Sequence, residues 1–344
     1  MKTLFFSVLL LTCGWLGAAE PGTPAAAAAT APGTTRIATW QDDRTATFLL
    51  MFDDSCPSHW QMAIPEMAKR QLIGTFYLNC GKAEFTKFRK QWETIALPAG
   101  MVMGNHTATH QGVRDAANAE AEIGGCNATI LELIGAKQPR LISFAQPGVG
   151  PGKWNISGDE FTKVLAAHQL INRPPFNDHG AVYALKTPAQ MLAVAGRAIA
   201  AKGMEYLIFH GIQRVGIDWG YQDFWAQNFA DFKTVLDGLV ERREHGDLWL
   251  TDHISWHQYV TERASATVTA NTSNQSQIAL TLTCRADPAL YDLPLTLVTN
   301  VPTGWTRVEI SQGKRSVQTV AVHDGHVTYQ ALPGSEQIVL LPKP

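Results

Sequence analysis

The stretch FLLMFDDS, Phe48 to Ser55, runs through five apolar residues and stops at two consecutive carboxylates, Asp53 and Asp54. A short, unbroken apolar run bounded by polar residues reads as a strand buried on both faces, the kind found in parallel sheets. Similar runs recur along the chain: GTFYL (74–78), MVM (101–103), LISF (141–144), YLIF (206–209) and LWL (248–250). Between the last two, Phe232, Val235, Leu236 and Leu239 fall at i, i+3, i+4 and i+7, an apolar stripe on a helix. Strand and helix alternating over residues 36–263 predict an α/β domain built on a largely parallel sheet.

Outward from that region the rhythm changes. Beyond Ala264 the helical period disappears, and IALTL (278–282), LTLV (295–298), VEI (308–310) and IVLL (338–341) are separated by Gly, Pro, Asn and Asp turns. Residues 264–344 therefore read as a small all-β, sandwich-like accessory domain. It carries no cluster of candidate catalytic groups.

With 45% hydrophobic and 17% charged residues, the 344-residue chain can bury a sizeable core, and its formal charge of −2 gives no basis for binding a phosphate backbone. Nucleic acid is not an expected partner. Lys2, the apolar run 4–11 and the small residues Gly17, Ala18 and Ala19 read as a signal peptide over 1–19, so the chain is expected to be exported, to a periplasm or the extracellular space. Cys13 raises a lipoprotein alternative, against which Thr12 counts. Residues 20–35 are Ala, Thr, Pro and Gly, a flexible linker, and no later segment is long and apolar enough to span a membrane. The spacing of Cys56, Cys80, Cys126 and Cys284 matches no zinc ribbon; a Cys56–Cys80 disulfide is expected, since each of the two follows a predicted strand. The residues leave the oligomeric state open.

The ends of the apolar runs carry the chemistry. Phe52 gives way to Asp53-Asp54, MVM leads into GNHTATH (104–110) with His106 and His110, and Phe209 is followed by His210. Carboxyl ends of parallel strands face one way, so residues distant in sequence converge on one mouth. Taken singly the signals are weak: eleven histidines give roughly 0.3 chance His-x-x-x-His pairs in such a chain, and two aspartates after a strand read as a solvated turn. Taken together, two imidazoles and one carboxylate with a position left for water form a recurrent catalytic zinc arrangement. The second carboxylate is then free to take a proton from that water.

These motifs resemble those of the polysaccharide deacetylases, carbohydrate esterase family 4. FDDS (52–55) looks like the family's first motif, HTATH (106–110) its second and LIFHGI (207–212) its fifth, and the likeness runs from about Trp40 to Arg263. The resemblance implies a distorted (β/α) barrel with fewer than eight strands. It implies one divalent metal ion, zinc with cobalt or nickel as alternatives, held by Asp54, His106 and His110. It further implies Asp53 as general base, His210 as general acid, and hydrolysis of N- or O-linked acetyl groups on a carbohydrate or polysaccharide.

The family's third motif departs here. FAQPGVG (144–150) places Ala145 or Gln146 where an arginine usually precedes Pro-Pro-aromatic-Gly. Arg173, in RPPF (173–176), is expected to reach Asp53 from a neighbouring strand, an idea that a guanidinium beyond hydrogen-bonding distance removes. Asp178 is the candidate to orient His210, and a backbone N–H after Phe144 the candidate for the oxyanion. Gln146, Gly148, Val149, Arg173, Leu207 and Trp219 are expected to line the substrate site, and Trp60, Trp154, Tyr221 and Trp225 are further aromatics for a sugar groove. Two other readings stand beside deacetylation: hydrolysis of another, cyclic amide, and a catalytically inactive carbohydrate-binding relative that keeps the fold.

Overall fold

The computed structural model describes residues 31–176 and 180–343. The expected signal peptide, most of the expected linker, Cys13 and Asp178 lie outside the described residues. Strand β1 (Thr35–Ile37) is followed by seven strands of one parallel sheet: β2 (Ala46–Phe52), β3 (Thr75–Leu78), β4 (Val102–Asn105), β5 (Ile142–Phe144), β6 (Leu170–Asn172), β7 (Met204–Phe209) and β8 (Leu248–Thr251). The helices are α1 (Ile64–Lys69), α2 (Ala83–Gln91), α3 (Ala116–Ala119), α4 (Gly125–Leu133), α5 (Gly158–Ala167), α6 (Pro188–Ala201), α7 (Phe229–Glu244) and α8 (His253–Ser265).

The strand order is β6-β5-β4-β3-β2-β7; β7 follows one edge of β2, while β8 takes the first half of the other edge and β3 its last two residues. Every residue of β2 is buried, as an unbroken apolar run requires. Phe48, Leu50 and Phe52 pack into the helix-covered core with Met67, Val194, Leu236 and Leu239, whereas Leu49 and Met51 face Tyr77, Tyr206 and Ile208. Among the described residues β6 and β7 are not paired, so the sheet is an open, distorted (β/α) barrel of fewer than eight strands.

Register levels the carboxyl ends. Phe52 lies opposite Phe76 and Phe209, Leu78 opposite Asn105, Asn105 opposite Phe144, and Phe144 opposite Asn172. The Phe52 ring stacks on Phe76 at 4.4 Å and on Phe209 at 5.2 Å, which resists a slip of either pairing. The next residue along each of five strands is Asp53, His106, Ala145, Arg173 or His210. The backbone N–H groups of Asp53, His106, Ala145 and Arg173 bond the neighbouring strand's carbonyl at 2.8–3.0 Å, keeping those four residues at one height.

The remaining strands are β9 (Ala266–Ser273), β10 (Ile278–Cys284), β11 (Leu295–Asn300), β12 (Arg307–Gln312), β13 (Gln318–Ala321), β14 (His326–Ala331) and β15 (Ile338–Lys343). They form two antiparallel sheets, β1-β11-β14 and β13-β12-β15-β10-β9, whose inward residues, among them Leu280, Leu297, Ile310, Tyr329 and Leu340, share one core. Thr35 to Ile37, divided in the sequence reading between the linker and the first region, is hydrogen-bonded into the C-terminal sheet instead. Helix α8 starts where the Asp252 carboxylate accepts from the Ile254 and Ser255 amides, and it serves both units: Trp256 packs on the inner face of the parallel sheet, and Tyr259 lies in the C-terminal core with its hydroxyl on the Ala38 carbonyl.

The expected Cys56–Cys80 pair is not formed. Packing of α4 over the end of β3 sets Cys126 Sγ 2.8 Å from Cys80 Sγ, and Cys56 Sγ instead faces the Asp53 carbonyl at 3.8 Å.

Candidate active site

Consecutive residues of a strand face opposite ways, so Asp53 and Asp54 reach one site only because the chain turns between them: Asp54 has φ 74° and Ser55 φ 55°. Thr107 and His110 also lie at positive φ, 61° and 60°. Non-glycine residues hold that conformation where surrounding bonds over-determine it. Here the Ser55 hydroxyl accepts from the Asn79 amide, and the Asn79 side chain donates to the carbonyls of His106 (2.6 Å) and Thr107. On the far side Glu122 accepts from both the amide and hydroxyl of Thr109.

The result is a cluster of donor atoms. Asp54 Oδ1 stands 3.3 Å from His110 Nε2 and 3.7 Å from His106 Nε2, and one ligand atom from each residue lies within 4.8 Å of the others. His106 Nδ1 donates to the Ala145 carbonyl at 2.7 Å, which puts its proton on Nδ1 and turns the Nε2 lone pair into the cluster. Burial lowers His106 to about 4, keeping it neutral near pH 7. Asp54 Oδ1 is buried with no hydrogen-bond partner in the structure. Donors about 2.0–2.1 Å from a common ion at tetrahedral angles stand roughly 3.3 Å apart, near the 3.3 and 3.7 Å that separate Asp54 Oδ1 from the two imidazoles, and a nitrogen and carboxylate donor set suits zinc or a similar borderline cation. The residues present therefore fit a divalent metal.

Beside this cluster, Arg173 Nη1 and Nη2 donate to Asp53 Oδ1 and Oδ2, each at 2.8 Å, with both side chains under 5% exposed. The guanidinium lies 4.8 Å from the Tyr77 ring centroid, and Tyr77 is held by the chain Tyr77 hydroxyl to Ser143 Oγ to His253 Nδ1, at 2.8 and 2.7 Å. Burial pushes Asp53 up, but the charge of Arg173 and its hydrogen bonds outweigh it and hold the carboxylate below its usual range. Ala145 and Arg173 directly follow adjacent strands whose last residues, Phe144 and Asn172, are in register, so the guanidinium reaches Asp53 from the strand beside β5.

His210 Nε2 is 3.6 Å from Asp54 Oδ2, and burial lowers its pKa. Its ring meets Trp225 and Phe176 edge to face at 4.9 and 5.6 Å. Trp225, itself at φ 46°, stacks between Tyr183 (4.6 Å) and Phe224 (4.1 Å). A cleft of about 600 Å³ is lined by Asp53, Asp54, His106, His110, Arg173 and His210 on the polar side, by Gln146, Pro147 and Gly148, and by Phe176, Phe224 and Trp225.

Other expected site residues are elsewhere. Leu207 is fully buried in the helix-covered core, because it alternates with Phe209 on that face of β7. Trp219 packs against Trp60, Phe88 and Arg214, Trp154 packs against Phe161, and Val149 sits on the loop without lining the cleft. Arg173 lines it but spends its fork on Asp53. Ala145 gives its N–H to the Asn105 carbonyl, and Pro147 has none, so Gln146 carries the first amide after β5 left for an oxyanion. Sequence reading missed Arg214, whose guanidinium binds Asp223, Gln61 and the Tyr221 carbonyl and so holds the loop presenting Phe224 and Trp225. It also missed His59, whose Nε2 meets the His210 carbonyl at 2.6 Å. Neither lies in a local pattern that marks it.

The family model described as polysaccharide deacetylase matches residues 41–153, the span that holds Asp53, Asp54, His106 and His110, and the recognition made from the motifs stands on it. A gellan lyase from Bacillus sp. is 20% identical over 339 residues; the match covers 90% of this chain, which spans only 13% of that protein. Among solved structures, a family 4 pseudoenzyme from Bacillus anthracis is 14% identical, with 59% of this chain and 63% of that one covered at a TM-score of 0.42. A family 4 carbohydrate esterase from Streptomyces lividans in complex with acetate is 17% identical, with 57% and 89% covered at a TM-score of 0.40.

Proposed function

We propose that this chain, whose residues 41–153 match the polysaccharide deacetylases, is an exported, metal-dependent hydrolase that removes N- or O-linked acetyl groups from a carbohydrate. The observation that carries this reading is the Asp53–Arg173 pair set beside the Asp54, His106 and His110 donors, with His210 completing the same cleft. A divalent ion held by those three residues, zinc by the donor set, would supply a Lewis acid for the acetyl carbonyl and lower the pKa of water. Asp53 is kept ionised by Arg173, and each of its oxygens retains a second acceptor position, so it takes the proton of the attacking water. The developing oxyanion is assigned to the Gln146 amide, on the ground that Gln146 lines the cleft and the Ala145 amide is already bonded to Asn105. His210, against Trp225 and within 4 Å of Asp54, delivers a proton to the departing sugar nitrogen or oxygen.

The exposed apolar surface of Phe176, Phe224 and Trp225 favours a carbohydrate over a small cyclic amide, because aromatic surface beside polar groups matches the C–H groups of sugar rings and is otherwise costly to leave in water. An inactive carbohydrate binder would have no need of a buried, arginine-clamped carboxylate beside the metal donors. The test is acetate release from acetylated chitin oligomers, peptidoglycan fragments and acetylated xylan, before and after chelation and after zinc is restored. Loss on chelation, recovery with zinc, and loss in Asp53→Ala with zinc still bound are expected. Acetate release that survives chelation, or full turnover in Asp53→Ala, refutes the reading.

A further inference from the structure

Cys80 and Cys126 stand with their sulfurs 2.8 Å apart, under an ångström longer than a covalent S–S bond of ~2.0 Å. Their places in the fold give the contact a consequence. Cys80 lies between Asn79, whose side chain donates to the His106 and Thr107 carbonyls, and Gly81, whose amide donates to the Ala108 carbonyl at 2.8 Å. Cys126 lies one helical turn after Glu122, which accepts from the Ala108 and Thr109 amides and from the Thr109 hydroxyl. The loop His106 to His110 is thus gripped between two brackets, and each bracket carries one cysteine.

We propose that Cys80 and Cys126 form a disulfide that ties these two brackets together and braces the loop presenting His106 and His110. The two thiols lose two protons and two electrons as the two S–H bonds are replaced by one S–S bond, and a small-molecule disulfide is the oxidant. The Cys80 sulfur, less buried than that of Cys126, first forms a mixed disulfide and releases one small thiol. Cys126 then attacks the Cys80 sulfur and releases the second. Burial pushes the Cys80 thiol up, so its thiolate is scarce and exchange runs slowly in either direction. Cys56 and Cys284 contact the Asp53 carbonyl and the Ser265 hydroxyl, and stay as thiols.

The disulfide stands without the metal reading; its bracing of a metal-ligand loop rests on that reading. The full chain is treated with oxidised glutathione at mildly alkaline pH, alkylated and digested without reduction. A peptide linking Cys80 to Cys126, with Cys56 and Cys284 alkylated, is expected; Cys80 and Cys126 both alkylated, or Cys80 joined to Cys56, overturns the proposal. Hydrogen exchange of the 104–112 amides in the oxidised protein and in protein reduced and freed of reductant reads the bracing without metal, and exchange roughly tenfold faster after reduction is expected. Zinc competition against a chelator on the same samples should show affinity about tenfold weaker after reduction. Equal exchange in both forms overturns the bracing even where the disulfide forms. Accelerated exchange with no zinc bound by either form leaves the brace in place and removes the metal reading instead. Cys126→Ser, expected to match the reduced protein, guards against an effect of the reductant.

Discussion

Replacing Arg173 by alanine removes both donors from a carboxylate that is nearly sealed from water, since Asp53 and Arg173 side chains are 3% and 4% exposed. Opposite charges about 4 Å apart attract by roughly 4 kcal/mol at an effective dielectric constant near 20, and breaking a buried pair from one side typically costs about 3–5 kcal/mol. Urea unfolding of wild type, Arg173→Ala, Asp53→Asn and the double variant forms a cycle in which the coupling energy is expected at about 2–3 kcal/mol. Turnover on an acetylated oligosaccharide should fall by about 10²–10⁴ in Arg173→Ala, the range associated with losing a general base, with KM little altered. Arg173→Lys restores a charge but not two parallel bonds and should recover only a small part of that loss. Additive stabilities within about 0.5 kcal/mol, together with near wild-type turnover in Arg173→Ala, would refute the assignment of Arg173 as the residue that positions and ionises Asp53.

Trp225→Ala removes the middle of the stacked wall, so KM for an acetylated oligosaccharide should rise about tenfold, near 1.4 kcal/mol, while a small aryl acetate without a sugar is hydrolysed as before; equal effects on both substrates would separate the wall from sugar binding. Gly104→Ala builds a Cβ 2.6 Å from the ring of Tyr77, a residue buried and tied to Ser143, so a loss of about 1–3 kcal/mol in urea unfolding is expected, and unchanged stability would show that the ring can move. Glu262 is raised by burial to about 7, with the Leu293 amide opposing. Its folded form holds a proton that the unfolded chain has lost, so its contribution is full below about pH 4.5, declines above that, and is gone once pH passes about 7. Glu262→Gln should therefore flatten the fall in wild-type stability between pH 5 and 8; two parallel stability profiles would contradict the assignment.

The strand ends that carry Asp53, His106 and His210 are legible in the sequence because a buried parallel strand is a continuous apolar run, and the residue that breaks the run is the residue at the mouth. Residue type and spacing also nominate His106, His110 and one carboxylate of the Asp53–Asp54 pair as candidate metal donors, and the choice of Asp54 within that pair comes from the family resemblance. The sequence places Arg173 at Asp53 from a neighbouring strand; the contact is found, but β6 is a three-residue edge strand with an exposed last residue, separated from β2 by β5, β4 and β3. Its reach to Asp53, 120 residues away, is set by the register of successive strands, which no local pattern encodes. The same limit explains the cysteines, where helix packing rather than position after a strand chose the partner of Cys80. It also explains the tryptophans: among the described residues, Trp225 is the only tryptophan that lines the cleft, because the Arg214 anchor folds its loop inward while Trp219 turns to Trp60 and Phe88. Sequence determined which chemical groups end the strands, through the periodicity of burial; tertiary structure decided which of them touch, through register and packing between segments that share no local signal.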